Sequence, residues 1–460
     1  MTTHTAYEDA HASFLSFWLR VREFAVPPSM IATATARRLS GDWAGACAAA
    51  RVDVDLDLRS VTRAHGRDLT DRIRRDLRHL APDLLRWHMP RVAPHGLLRP
   101  GLTISLARYA PADPTARASP VHLVARTPPA WAEGGQRISL ALWDGSSGRS
   151  VGQGPAGRHP HPRPDRRFRL DLHRHLWDAR RADELRLRSG AEPPATDAPP
   201  ASGAEAPVPE GYLCAVDRWP AEARLVLHAE GRSEGPVAVR LDARRRLTLA
   251  VAPAPGAPRD AGSHGAPTLL PDAATWVLPD LELLRAGAIE AGRLHPLVAS
   301  ALVPDHVPAD RCDERASSRP RVVECRGDLH RIALVDGVLA PLDHGPDELG
   351  REELLVALGG PPLPCLGAID EAHRRPDCLA GVRERLQHGD LAGALAVVEG
   401  LLGPGATLRG GPLRDALEEA ARRRIAYGMF RSGLDAPPPH RVPPPPRRPR
   451  DVRTRPRLAH

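Results

Sequence analysis

Two amino acids are missing from this chain of 460 residues, which contains no lysine and no asparagine. The absence of lysine excludes the usual P-loop, protein kinase and pyridoxal phosphate sites, because each of them needs a lysine amine. The absence of asparagine excludes Cys-His-Asn proteases and acceptors of N-linked glycans. Several large classes of enzyme are therefore removed before any motif is considered.

Because lysine is absent, all 64 basic residues are arginine, while Phe and Tyr are scarce and Arg, Pro, Ala and Gly are abundant. This composition is typical of a very GC-rich genome, so the arginine count reflects codon usage as much as selection. The net charge is +8, yet residues 436–460 hold seven arginines and one aspartate, and the rest of the chain is close to neutral. The sequence therefore predicts a disordered Pro/Arg tail. Its candidate interaction residues are Arg441, Arg447, Arg448, Arg450, Arg453, Arg455 and Arg457.

The chain also lacks any CxxC pair among its six cysteines and any apolar run long enough for a membrane helix. Its N-terminus carries Glu8 and Asp9 before the first apolar run, which is unlike a signal peptide. We therefore expect a reduced, cytoplasmic protein with no membrane association.

The hydrophobic pattern predicts an α+β fold, with helical regions at both ends and a β-rich, mainly antiparallel centre. Phe14, Phe17 and Trp18 fall at helical spacing, whereas Leu102, Ile104 and Leu106 alternate with small or polar residues. A helix is also expected over 281–302. The predicted regions are 1–96 (helical), 97–188 (β-rich, with a strand-helix segment), 189–210 (flexible linker), 211–345 (β-rich), 346–435 (helical hairpins) and 436–460 (disordered tail).

Two similar stretches, GDWAGACAAA from Gly41 and GDLAGALAVV from Gly389, predict the corners of two helical hairpins. Glycine ends a helix because it tolerates the left-handed cap, and aspartate starts the next helix because its carboxylate accepts free backbone amides. The pattern resembles the helical corner of tetratricopeptide-type repeats over about ten residues. No 34-residue period joins the two copies, so a true duplication and coincident corner chemistry both stay open.

Two further blocks, LRHLAPDLLRWHMPR and HRHLWDARRADELRLRSG, resemble uncharacterised proteins of GC-rich bacteria. Such proteins are associated with gene clusters that encode an AAA-type ATPase and a von Willebrand A domain protein. The resemblance carries no catalytic motif. It implies a class of partner, namely a component of an ATPase system.

Asp171, His173 and His175 are the candidate metal ligands, because on a strand all three side chains would point to one face. The alternative is a polar surface beside a row of buried leucines, and neighbouring arginines would repel a cation. The cysteines lack the closely spaced pairs that structural zinc sites favour, so the sequence predicts buried or idle thiols. The two groups considered were Cys312 and Cys325 with His306 and His330, and Cys365 and Cys378 with His373.

Asp53, Asp55 and Asp57 alternate with apolar residues in the manner of the start of an EF-hand loop. Leu58 and Ala64 stand where that loop needs its glycine and its final glutamate. The segment is therefore interpreted as a half-buried strand or extended segment with a solvated acidic face.

These observations favour a non-enzymatic adaptor without a cofactor, which presents helical hairpin surfaces to a partner protein and a basic tail to an acidic surface. The first alternative is a metal-dependent enzyme or ligand-binding protein with a site in the β-rich region. The second alternative is binding of nucleic acid or another polyanion, through the tail alone.

Overall fold

The computed structural model describes most of the chain between residues 2 and 434. The described residues are 2–111, 119–145, 159–191, 208, 212–251, 267–306, 321–325, 327–335, 338–361, 363–374, 379–402 and 410–434. The fold is mixed α and β, with helices at both ends and mainly antiparallel sheets, which confirms the predicted class. The tail at 436–460 and nearly all of the predicted linker lie outside the described residues. In the described part of the chain, no helix has the length and apolar character needed to cross a membrane.

Helices fill most of the N-terminal region. They are α1 (Thr2–Arg20), α2 (Pro28–Leu39), α3 (Trp43–Ala49), α4 (Leu58–His65), α5 (Arg67–His79) and α6 (Pro82–His88). A π-helical turn at Val21–Ala25 extends α1 until Pro27 and Pro28 end it. Trp18 of α1 packs on the buried Trp87 of α6, with ring centroids 5.1 Å apart.

The first sheet lies directly against these helices. The strands of this part are β1 (Val52–Val54), β2 (Arg91–Val92), β3 (Leu97–Leu98), β4 (Thr103–Tyr109), β5 (Val121–Arg126) and β6 (Ile138–Trp143). The sheet order is β1-β6-β5-β4, with only the β1–β6 pair parallel, and β2 and β3 form a separate short ladder. The strands predicted around Ile104 and Leu140 are confirmed. One hydrophobic core joins helices and sheet, so that core continues across the predicted boundary at residue 96.

A second sheet has a core of its own. The elements between residues 185 and 302 are α7 (Leu185–Arg188), α8 (Trp219–Ala229), β7 (Gly235–Arg240), β8 (Arg246–Val251), β9 (Thr268–Leu269), α9 (Asp272–Thr275), α10 (Pro279–Arg285) and α11 (Pro296–Leu302). Of these helices, α8 and α9 contribute to the second core, whereas α7, α10 and α11 contribute to the first. The strands lie in the order β8-β7-β9, and Trp219 and Val226 of α8 pack against Val237. The single helix predicted over 281–302 is wrong, because Gly287 adopts a φ of 64° after α10 and Pro296 begins a new helix.

The C-terminal region consists of a three-stranded sheet followed by helices. Its elements are β10 (Arg321–Cys325), β11 (Asp328–Val335), β12 (Val338–Pro341), α12 (Pro346–Ala357), α13 (Pro364–Arg374), α14 (Leu379–Gln387), α15 (Leu391–Leu402) and α16 (Pro412–Arg431). Val335 pairs with Val338, as the predicted Asp-Gly hairpin requires, although the two turn residues lie outside the described chain. We call residues 321–374, from β10 to α13, the C-terminal module.

Both Gly-Asp stretches are corners between helices, as predicted. Gly41 and Gly389 adopt φ angles of 80° and 79°, and Asp42 and Asp390 cap the helices that follow. Each carboxylate accepts the backbone N–H three residues later, at 2.8 Å in the first corner and 3.2 Å in the second. The same local chemistry therefore ends and restarts the helix at both sites.

The two helical ends of the chain pack against each other. Tyr427 of α16 donates its hydroxyl to Asp53, and Arg431 donates to Asp55. The prediction of an extended segment is confirmed by β1, and Asp57 is exposed as predicted, but Asp53 and Asp55 are half-buried. The carboxylates of Asp53 and Asp55 hold the C-terminal helix, since they offer acceptors to the phenol and the guanidinium.

Candidate functional site

The predicted metal ligands lie in a segment that does not form the expected strand. Residues 170–173 form turns, and Arg174–Leu176 is a short 3₁₀ helix. The prediction of a strand was wrong, because the N–H groups of Leu172 and His173 bond to the carbonyl oxygens three residues earlier, each at 3.1 Å, and so close the backbone into turns. The common face on which the metal prediction depended is therefore absent.

The two histidines of this segment belong to a buried polar cluster. The His173 Nε2 lies 3.1 Å from Glu222, and its Nδ1 lies 2.9 Å from the carbonyl oxygen of Arg169. The Nδ1 of His175 lies 3.2 Å from the Arg188 guanidinium, which donates to Glu222 at 2.6 Å. Burial raises the pKa of Glu222, but hydrogen bonds from His173 and Arg188 outweigh it and lower that pKa to about 2. The cluster connects this segment to α8, and binding of metal there stays a prediction.

A cavity of about 430 Å³ lies where α1, the end of α6, the start of β4 and the 272–279 segment meet. Its wall is mostly apolar and aromatic. The aromatic members are Phe14, Trp18, Phe168, Tyr212 and Trp276. A volume of this size falls in the range of pockets that bind a small molecule or anchor a side chain of a partner.

The ionised side chains of this wall are mainly cationic. Arg91, Arg99 and Arg167 line the cavity, whereas Asp272 is the one carboxylate among the lining residues that the structure describes. Arg167 is neutralised because its Nε lies 2.7 and 2.8 Å from the two oxygens of Asp272. The other two arginines have no carboxylate partner in the described chain, so the wall carries an excess of positive charge.

Arg91 is held in place by neutral groups. Its guanidinium donates to the carbonyl oxygens of Arg86 at 2.6 Å and Gly96 at 2.7 Å, while its buried Nε finds no acceptor among the described residues. Burial and the nearby Arg22 lower the pKa of Arg91 to about 9. A cation in this position would gain free energy from an anion that enters the cavity, because its own charge is not compensated.

His88 also lines the cavity but is unsuited to proton transfer at neutral pH. Burial, followed by the positive charge of Arg22, lowers the pKa of His88 to about 3. Its Nε2 is buried and has no hydrogen-bond partner in the described part of the chain. The imidazole is therefore neutral near pH 7 and can serve as a hydrogen-bonding group in a binding site.

No family model matches this chain. Comparisons with the curated proteins and with the solved structures also find no match. The cavity is therefore interpreted from its own residues, which come from separated segments. The sequence analysis identified the LLRWHMP block and the helical spacing of Phe14 and Trp18. No local pattern indicated that these residues line one cavity with Arg167 and Trp276.

A larger cleft, of about 1000 Å³, lies between the N-terminal helices and the C-terminal helices. Its two arginines nearest the helical corners have acidic partners, since Arg51 pairs with Asp390 and Arg137 pairs with Asp53. Its other two arginines belong to α16, where Arg423 lies 3.7 Å from Glu419 and Arg424 is exposed to solvent. The first cavity is the stronger candidate because two of its arginines are not paired in this way. The seven tail arginines, Arg441 to Arg457, lie outside the described residues.

Proposed function

We propose that this chain is a non-enzymatic binding protein, an adaptor whose cavity receives an apolar or aromatic group with a neighbouring anionic group from a partner protein. The observation that carries the proposal is the composition of the wall, with three arginines and one aspartate around an aromatic interior. Aromatic rings stabilise an apolar group, and incompletely paired guanidiniums stabilise an anion beside it.

A partner protein is favoured because an anchor side chain in a deep pocket is the usual centre of a protein interface. The Pro/Arg tail suits the same partner, since its seven arginines would attract an acidic surface over a distance of about 8 Å at physiological salt. The resemblance of two sequence blocks to proteins of ATPase gene clusters supports a component of an ATPase system, in the cytoplasm, as that partner.

The proposal is tested with a defined probe, anilinonaphthalene sulfonate, which combines an aromatic body and an anion. We expect binding at about one site per chain, and loss of that site in Ala273→Trp, because the indole would fill the cavity that Ala273 lines. Ala250→Trp is the matched control, since Ala250 is exposed on β8 and does not line the cavity. Equal binding by wild type and both variants, with unchanged circular dichroism, would overturn the proposal.

A further inference from the structure

Four potential metal ligands of the C-terminal module come together although they are distant in the sequence. Cys325 ends β10, His330 lies in β11, His344 follows β12, and Cys365 lies in the first turn of α13. The register pairs Val323 with His330, so that Cys325, two residues after Val323, faces the same side of the hairpin as His330. The strand pairing and the start of α13 therefore build the group.

Three of these side chains form a close group, and the fourth, Cys365, lies outside that group but next to Cys325. The ligand atoms of Cys325, His330 and His344 all lie within 4.8 Å of one another, and the Sγ atoms of Cys325 and Cys365 are 3.6 Å apart. Two thiolates on one tetrahedral zinc ion are separated by about 3.8 Å, given a Zn–S distance of about 2.3 Å. The Nδ1 of His330 and the Nε2 of His344 are 2.7 Å apart, so the rings must separate by about 0.6 Å to admit an ion at about 2.05 Å from each nitrogen.

A carboxylate orients one of the histidines. The Nδ1 of His344 lies 3.2 Å from Glu348 in the first turn of α12. When this Nδ1–H donates to the carboxylate, the lone pair of the neutral imidazole lies on Nε2, the atom that faces His330. Histidine ligands of metals commonly make this kind of outer hydrogen bond, which fixes the tautomer and the orientation of the ring.

The packing of the module is consistent with a structural ion. Cys325, Cys365 and His344 are 1%, 0% and 9% exposed, so the group is closed to solvent on most sides. The local core consists of five buried residues, of which two are these cysteines. A core of this size contributes little to stability alone, and small units often depend on a metal for that reason.

We propose that Cys325, His330, His344 and Cys365 form a closed Cys₂His₂ site for a structural zinc ion. Two sulfur and two nitrogen ligands in a tetrahedral arrangement favour zinc over harder cations. The ion would join the β10–β11 hairpin to the starts of α12 and α13. This site is separate from the aromatic cavity and does not depend on the function proposed for it.

The test is the metal content and the cobalt spectrum of the full-length protein. We expect about one zinc ion per chain after purification under reducing conditions. We also expect that Co²⁺, added to stripped protein, gives the charge-transfer bands of thiolate ligands and the visible bands of a tetrahedral ion. Cys325→Ser and Cys365→Ser should each lose the ion, whereas Cys47→Ser should retain it, since Cys47 is a buried cysteine of the N-terminal core.

His330→Gln provides a second variant, because His330 is only half-buried and its replacement disturbs the core least. It should weaken zinc binding at least tenfold in a chelator competition while the circular dichroism stays unchanged. Failure of the wild-type protein to bind either ion would overturn the proposal, and so would a Cys325–Cys365 disulfide in freshly purified protein. A wild-type cobalt spectrum in Cys365→Ser would do the same.

Discussion

The guanidinium of Arg51 donates to the carbonyl oxygen of His388 at 2.6 Å and to the carboxylate of Asp390 at 3.1 Å. Arg51 lies just after the first helical hairpin, and both acceptors belong to the corner of the second hairpin. The two Gly-Asp stretches are therefore close neighbours in space. Arg51 holds a left-handed backbone with a φ of 58°, which is unfavourable for a residue with a Cβ and is offset by these contacts.

Arg51→Ala should lower the free energy of unfolding by about 2 kcal/mol, because it leaves the partly buried Asp390 without one of its charged partners. Arg51→Gly should lower the free energy of unfolding by about 1 kcal/mol less than Arg51→Ala does, since glycine accepts the left-handed conformation. Arg37→Ala, which removes an exposed partner of Asp42, is the control and should stay within about 0.5 kcal/mol of wild type. Denaturant unfolding measures all three, and equal effects of Arg37→Ala and Arg51→Ala would show that the contacts of Arg51 with the second corner do not stabilise the fold.

Gly393 and its equivalent in the first corner, Gly45, allow the capping aspartate to reach the helix. A Cβ at Gly393 would lie 2.1 Å from Oδ2 of Asp390, and a Cβ at Gly45 would lie 2.0 Å from Oδ2 of Asp42. Gly393→Ala should therefore displace the cap and lower the free energy of unfolding by about 1 kcal/mol. Gly381, the third residue of α14, has open space around it, so Gly381→Ala should add about 0.5 kcal/mol through helix propensity. Thermal unfolding measures the stability of both variants. A similar increase in stability in both would contradict the capping role.

His388 should make the protein less stable as the pH falls. Burial and the nearby Arg91 and Arg86 lower its pKa to about 3, well below the ordinary value of 6.5. Between pH 6.5 and pH 3 the unfolded chain binds a proton that the folded protein does not. The contribution of His388 to the free energy of unfolding is therefore fully present above pH 6.5 and declines on acidification. The slope is about 1.4 kcal/mol per pH unit for each such histidine, and His88 behaves in the same way.

The variant His388→Gln cannot titrate, so it should reduce the pH dependence of the free energy of unfolding by the contribution of one group. The effect should be seen between pH 6 and pH 4, a range that lies between the folded and unfolded pKa values of His388. Denaturant unfolding at several pH values measures the slope for both proteins. Parallel curves would mean that His388 is protonated in the folded state.

The corners were predictable because their chemistry is local. A glycine that accepts a left-handed cap and an aspartate that caps the next helix act within three residues, so the pattern at Gly389 and Asp390 is readable without tertiary information. The segment around His173 was mispredicted because alternation suggested a strand, whereas backbone hydrogen bonds between residues three apart fold the chain into turns.

The candidate sites could not be predicted because they depend on long-range contacts. Cys325 and Cys365 are 40 residues apart in sequence, and the spacing rule for zinc sites assumes ligands in close pairs. The register of β10 and β11 and the start of α13 bring the four ligands together instead. The aromatic cavity could not be predicted for the same reason, since Trp18 and Trp276 line one cavity although they are far apart in the sequence.

The central claim is that the aromatic cavity selects an anion, and calorimetric titration of Arg99→Glu tests it most directly. Arg99 is exposed at the cavity wall, so reversing its charge should weaken binding of anilinonaphthalene sulfonate about five- to tenfold and leave the uncharged phenylnaphthylamine unaffected. Arg246→Glu makes the same change of net charge on exposed β8, away from the cavity, and should leave both affinities near wild type. Equal losses for both probes in Arg99→Glu, or equal losses of the anionic probe in the two variants, would contradict the claim.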